Sequence, residues 1–196
     1  MIEIIKNALT FKYGGMSENE LKVLYDICLN KDILELGSMA GMSSYVIASV
    51  AKILSCVDAW DDEYHHLSHD YKQQKVYFSL IYENPSMYSS FLKNCIDFIR
   101  SGKIKMYRGY TDQMCPLFND ESVDILLIDA DHSYFGVSND YINYKNKVKK
   151  DGLVIFHDYG DSMWVDIKKF ADEMVNKNEL IMIQNVERIA VFKRNY

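Results

Sequence analysis

Two stretches of the sequence put carboxylates and imidazoles where they would be expensive to leave alone. In ILLIDADHSYFG, residues 125–136, an apolar run stops abruptly at Asp129, Asp131 and His132. In LVIFHDY, residues 153–159, a second apolar run stops at His157 and Asp158. Ionised groups at the mouth of a buried strand cost free energy unless they are paired. If the two runs are neighbouring strands, Asp129 faces Asp158, and carboxylates that close repel unless one is protonated or a cation lies between them. Oxygen ligands suit Mg²⁺, Ca²⁺ or Mn²⁺ rather than Zn²⁺, which prefers sulfur and more imidazole. A bound divalent cation can hold a substrate hydroxyl and lower its pKa.

A third stretch, ILELGSMAGMSS at residues 33–44, has Gly37 and Gly41 four apart between an apolar run and a helical pattern. Gly37 permits a tight turn, and Gly41 lets a helix N-terminus approach a ligand. Met39 occupies the place of the second glycine in a dinucleotide-binding fingerprint, and no Gly-Lys-Ser/Thr follows, so neither a dinucleotide nor a nucleoside triphosphate is indicated. Glu35 would repel a pyrophosphate and welcome an amino group. Asp58, twenty-one residues beyond Gly37, ends the next strand, where it can accept hydrogen bonds from ribose hydroxyls. A nucleoside without phosphates that carries a cationic amine fits this set, and S-adenosylmethionine (SAM) is such a molecule.

The elements that must position these groups can be read from periodicity. Ser17 and Glu20 form a capping box for a helix over 17–30. Strands are expected at 33–36, 53–57, 104–107, 123–128 and 153–156, with helices at 43–52, 91–100, 134–149 and 163–176. Two closing strands, 180–184 and 188–193, are joined by too short a turn for a helical crossover and must be antiparallel. Alternating strands and helices predict an α/β fold: a mostly parallel sheet with helices on both faces. Ligands then bind beyond the carboxyl ends of the strands, where all three stretches lie. Residues 61–90 are rich in Tyr, His and Ser and longer than a simple connection needs, which predicts a lid or a homo-oligomer contact. His65, His66 and His69 lack the accompanying ligands of a metal cluster.

Bulk composition narrows the field. A chain of 196 residues, 48% hydrophobic, is long enough for a single domain with a sizeable core. A net charge of −6 argues against nucleic acid as a partner, since phosphate binding needs surplus Lys and Arg. The four cysteines are scattered without a C-x-x-C pair, a usage that fits a reducing compartment. The first ten residues are too short and acidic for a signal peptide, and no run reaches the roughly 20 apolar residues of a membrane span. A cytoplasmic protein acting on a small molecule is expected.

The segment from Glu35 to Gly41, with Asp58, resembles the E/D-x-G-x-x-x-G motif and following acid of class I SAM-dependent methyltransferases, whose Rossmann-like seven-stranded sheet ends in an antiparallel pair. The resemblance covers roughly residue 17 to the C-terminus. It implies that Gly37, Ser38 and Gly41 line the methionine part of SAM, that Trp60 and the stretch Tyr110, Thr111 and Asp112 surround the adenine, and that Ser43 and Asp129 also adjoin the cosubstrate. The stretch IDADHSYFGVSNDY…DGLVIFHDY further resembles the I-D-x-D-H-x-Y … G-G-x-x-x-x-H-D-Y pattern of a metal-dependent branch: the macrocin- and mycinamicin-type sugar O-methyltransferases and cephalosporin-hydroxylase-like proteins. That likeness implies Asp129, His157 and Asp158 as ligands of a divalent ion such as Mg²⁺, and His132 or Asp131 as the base. His132 is preferred, since a neutral imidazole accepts a proton near pH 7. Two departures stand out: Asp151-Gly152 replaces a Gly-Gly, and His157 stands where an acid is more usual. The implied reaction is methyl transfer to a hydroxyl of a small polar molecule, a sugar or glycan precursor. A metal-free methyltransferase with another acceptor, or a SAM-binding domain without activity, are the alternatives.

Overall fold

Strands buried on both faces read as unbroken apolar runs rather than as alternating patterns, and the runs listed by periodicity become the sheet. A computed structural model describes residues 1–60 and 86–195. Its strands are β1 (Asp32–Leu36), β2 (Ile53–Asp58), β3 (Ile104–Arg108), β4 (Val123–Ile128), β5 (Val148–Phe156), β6 (Leu180–Val186) and β7 (Ile189–Arg194). They form one seven-stranded sheet in the order β3-β2-β1-β4-β5-β7-β6. β7 runs antiparallel to both β5 and β6, while the pairs among β1 to β5 are parallel. This is the Rossmann-like sheet with an antiparallel C-terminal pair that the sequence predicts.

The helices are α1 (Ile2–Ala8), α2 (Glu18–Ile27), α3 (Met42–Val50), α4 (Met87–Arg100), the short α5 (Thr111–Met114), α6 (Tyr134–Tyr144) and α7 (Val165–Asn176). On one face of the sheet Ile33, Ile125, Leu127 and Ile155 pack with Leu24, Ile47 and Phe91 from α2, α3 and α4. On the other, Leu34, Leu36, Ile128 and Phe156 pack with Tyr141 and Phe170 from α6 and α7. Each such aliphatic or aromatic side chain contributes roughly 1.5–3 kcal/mol on burial. A one-residue slip would exchange the two faces, so the register is held firmly.

Register decides what meets at the strand ends. Leu36 pairs with Val57 and with Ile128, and Ile128 pairs with Phe156. Asp58, Gly37, Asp129 and His157 therefore follow in one row across four strands. Strand order reverses between β1 and β4, which opens a crevice there.

Some boundaries differ from expectation. The helix expected over 134–149 stops at Tyr144, passes through one tight turn at Lys145–Lys147, and β5 begins at Val148. Val148 is fully buried, and the cations beside it are held outward by Glu179 and Asp120. Ser86 caps α4 by accepting from the Ser89 N–H at 3.2 Å, so residues 87–90 belong to that helix and not to the long connection. Residues 61–85, where the lid or oligomer contact and His65, His66 and His69 were expected, lie outside the described residues. Among the described residues no helix is long and apolar enough to cross a membrane.

Candidate active site

The loop from Gly37 to Gly41 is shaped by two glycines in the left-handed region, at φ +86° and +88°. A side chain at Gly37 would place its Cβ 2.1 Å from the backbone oxygen of Asp129; one at Gly41 would reach Cys95 Sγ at 2.8 Å. Both positions need glycine for conformation and for space. Asp58 ties this loop to β2. Its Oδ2 accepts from the N–H groups of Ser38 (2.9 Å) and Met39 (2.8 Å), and its Oδ1 from that of Trp60 (2.6 Å). Burial pushes the Asp58 pKa up, and the three amide hydrogen bonds oppose it. Carboxylate oxygens have about four acceptor positions between them, so one is left beyond these three amides, and Asp58 lines the cavity described below.

Glu35 departs from its expected place. It is completely buried and accepts hydroxyl hydrogen bonds from Ser38 (2.8 Å), Ser43 (2.5 Å) and Ser44. It lies beneath the loop rather than in the cavity wall. Its charge does not meet a ligand amine; it anchors the loop to the first turn of α3. Burial raises its pKa while the hydroxyls lower it.

Across the crevice lies the second acidic pair. His132 Nε2 is 3.0 Å from Asp158 Oδ2 and 3.6 Å from Asp129 Oδ1. His157 Nδ1 is 3.0 Å from Asp129 Oδ1 and 3.2 Å from Asp158 Oδ2. Arg188 Nη1 donates to Asp158 Oδ1 at 3.0 Å. Both carboxyl groups are thus bridged by two imidazoles, and Asp158 is also held by a guanidinium. Burial opposes charge on His132, but hydrogen bonds from its Nε2 to the Asp129 and Asp158 carboxylates outweigh it and carry its pKa up to about 9. His157 is raised well above its ordinary value in the same way. For Asp129 and Asp158 burial is overcome by the two histidines, and both fall below the usual carboxylate range.

Ligand atoms of Asp129, His132 and Asp158 lie within 4.8 Å of one another. Two carboxylates and an imidazole fit a hard divalent ion. His157, expected as the third ligand, sits behind them: it is 3% exposed, and its Nε2 turns inward toward Glu20 at 3.8 Å. Its Nε2 has no hydrogen-bond partner. Glu20 in turn receives the backbone N–H of Arg188 at 3.0 Å and its Nη2 at 3.2 Å. Burial works against the Glu20 charge, yet His157, Ser17 and Arg188 hold its pKa down to about 2. The capping-box residue is therefore also the inner end of the acidic network.

A cavity of about 600 Å³ joins the two halves, lined by Gly37, Ser38, Asp58, Asp129, His132 and Asp158 among others. That volume suits a ligand the size of SAM with an acceptor beside it. Gly41 is absent from its lining, whereas Ser43, Trp60 and Thr111 are part of it. The Trp60 indole donates to Met39 O at 2.8 Å and packs 4.8 Å from the Phe91 ring. Thr111 Oγ1 donates to Asp140 Oδ1 at 2.5 Å. Asp131 accepts from the Ser133 N–H at 2.8 Å, and its carboxyl lies over Gly136, where a Cβ would come within 2.3 Å of its Cγ. The His132 ring packs against Trp164 with centroids 4.7 Å apart.

Residues 34–159 match the model of the methyltransferase-domain family. The chain belongs to that family. This methyltransferase superposes on a Staphylococcus aureus protein assigned as a caffeoyl-CoA O-methyltransferase with a TM-score of 0.69, at 16% identity over 99% of this chain and 92% of the other. The SAM complex of the O-methyltransferase TomG from Streptomyces achromogenes gives 0.61, at 12% identity over 98% and 86%. Cofactor-bound Rv0187 from MTB gives 0.68, at 13% identity over 98% and 88%. An uncharacterised protein of Acanthamoeba polyphaga mimivirus is 37% identical over 78 residues, which span 37% of this chain and 35% of the viral protein. The fold is the one these methyltransferase structures share.

Proposed function

We propose that this methyltransferase moves the SAM methyl group onto a hydroxyl of a small polar acceptor, a sugar or glycan precursor, with a divalent cation such as Mg²⁺ held by Asp129, His132 and Asp158. The observation that carries this reading is the convergence of those three ligand groups on the wall of the cavity that also contains the glycine loop. The O-methyltransferase names of two structural neighbours support an oxygen acceptor. The sequence pattern around Asp129 and Asp158 supports the sugar class.

The residues divide the work. The Gly37–Gly41 loop and Asp58 seat the methionine and ribose parts of the donor. The cation, when bound, polarises the acceptor hydroxyl. As the S–CH₃ bond breaks and the O–CH₃ bond forms, S-adenosylhomocysteine leaves and the hydroxyl proton passes to Asp131 when His132 is a ligand of the cation, or to the neutral form of His132 when no cation is bound. Trp164 keeps the imidazole in one plane, which preserves an in-line approach. Residues 1–196 act as one methyltransferase unit in this reading. The four free cysteines support a cytoplasmic location.

A metal-free reaction is the second reading, and one observation favours it: His132, His157 and Arg188 already balance Asp129, Asp158 and Glu20. Chelation separates the two. With EDTA followed by gel filtration, turnover measured as released S-adenosylhomocysteine is expected to disappear and to return with Mg²⁺ or Mn²⁺. Undiminished turnover after exhaustive chelation rejects the cation and leaves His132 to act alone.

A further inference from the structure

The two outer strands of the sheet, β3 on one side and β6 on the other, are protected to very different degrees. β3 is five residues long, IKMYR, and carries exposed Lys105 and Arg108. Such charges keep an open strand edge from pairing with another chain. β6 is seven residues long, LIMIQNV, with no charge and no proline. Among the described residues it pairs with β7 alone, so its outer edge has no strand beside it. Successive side chains of a strand point to opposite faces, yet Ile181, Met182 and Ile183 are 48%, 40% and 56% exposed. Both faces of β6 therefore stand clear of the helices in its middle. Its ends are held: Leu180 is buried with Phe170 and Met174 of α7, and Val186 packs against the core on the α2 side. A bulge between Met182 and Gln184 leaves Ile183 without a partner on β7; it twists the edge but puts no charge there. An uncharged apolar edge of this length is a template for strand addition.

The charges around β6 specify what is added. A second copy of the same edge meets it antiparallel about a two-fold axis, the closed arrangement open to identical chains. Centred on Met182, this pairing sets Ile181 opposite Ile183 of the second copy, and no like charges face one another along the strand. Lys177, exposed just before β6, comes to the end where Glu187 of the second copy, exposed just after it, is found. Glu179, held by Lys145 at 2.8 Å, comes opposite the uncharged Asn185. Addition of β6 to β3 instead sets Lys105 and Arg108 against an edge that contains no acid, which disfavours an open filament. We propose that β6 is a homodimer interface at which two copies join their sheets into one. The crevice opens between β1 and β4, and β5 and β7 separate it from β6, so both cavities stay open in the dimer. A strand edge buries less than the roughly 1,200–2,000 Å² of a standard interface, so the dimer is expected to dissociate at micromolar concentration.

The test is sedimentation velocity of the full chain over about 1–200 μM, a range that brackets micromolar dissociation. Wild-type protein is expected to pass from monomer to dimer across that range. Ile183→Lys puts a cation on the edge at an exposed position and is expected to weaken association about tenfold or more, with the urea unfolding midpoint unchanged. Lys177→Glu and Glu187→Lys each set like charges at the two ends of the pairing and are expected to weaken association about two- to fivefold, as for an exposed ion pair. The two substitutions together are expected to restore it. Wild-type protein that stays monomeric to about 200 μM overturns the proposal and needs no variant to fold. A dimer that Ile183→Lys leaves intact is made by another face and overturns it equally. A double charge swap that stays as weak as the single ones rejects the antiparallel pairing centred on Met182, and the interface with it.

Discussion

Each half of the crevice contains a pair of strand-end acids, and the two pairs are neutralised in opposite ways. Glu35 and Asp58, from β1 and β2, are met by serine hydroxyls, backbone amides and the Cys56 thiol, which burial keeps neutral. Asp129 and Asp158, from β4 and β5, are met by two imidazoles and a guanidinium. Neutral donors hold a carboxylate in place and fix the loop they come from. Imidazoles can gain or lose a proton and can be joined by a metal. In the proposed function the first pair is a scaffold for the cosubstrate, and the second is the part of the site whose chemistry can change during a reaction.

If that division holds, the largest effect follows from breaking the second pair. His132→Ala is expected to lower methyl transfer by about 10²–10⁴-fold, the usual cost of losing a general base or metal ligand. Affinity for S-adenosylhomocysteine should stay within about threefold of wild type, because His132 touches neither Asp58 nor the glycine loop. Loss of binding in proportion to activity would show that the two halves are not separable.

Asp140 sharpens the comparison, because it has the burial of both pairs and almost none of their compensation. Burial, only partly offset by the Thr111 hydroxyl, raises its pKa from 3.8 to about 7, with Asp131 and Asp112 adding to the rise and His132 reducing it. The folded protein then keeps a proton on Asp140 where the unfolded chain has already lost it. Stability from this group therefore falls as pH rises from about 4 to about 7 and is level above that. Urea unfolding of Asp140→Asn should lack that component. The variant should gain on wild type across the window by an amount that reaches about 4 kcal/mol if the whole shift is expressed. Parallel pH curves for the two proteins would mean that Asp140 stays ionised in the fold.

Much of this was legible from residue order alone, and the exceptions have physical reasons. Strands buried on both faces announce themselves as apolar runs, and the acids that end them are conspicuous. What residue order does not show is which way a side chain points at the rim. Glu35 shares a sheet face with Ile33, two residues before it, and so points under α3 rather than into the cavity. His157 and Asp158 are neighbours in sequence, but His157 turns inward to Glu20 while His132, reached through the turn after β4, takes the place facing the cavity. Asp140 carries no signal of burial in the sequence; it is the packing of Thr111 in α5 against α6 that encloses it. Arg188 and Glu20 are 168 residues apart, and their pairing depends on the N-terminal segment folding against the β6–β7 turn.

The smallest effect is expected from Glu35→Gln, and its character matters more than its size. The carboxylate accepts two hydroxyls and the Cys56 thiol on Oε2 and one hydroxyl on Oε1. A glutamine keeps one acceptor oxygen, so at least one serine must rotate to accept from the amide. The cost should be about 1–3 kcal/mol in unfolding free energy, typical of one imperfectly satisfied buried group. Because the loop carries the damage, the affinity for S-adenosylhomocysteine should weaken by a factor of up to about ten. The turnover of the saturated enzyme should change little, and the requirement for added cation not at all. A Glu35→Gln protein that binds normally but turns over slowly would place this acid in the reaction itself, and the contrast between a fixed half and a reactive half would fail.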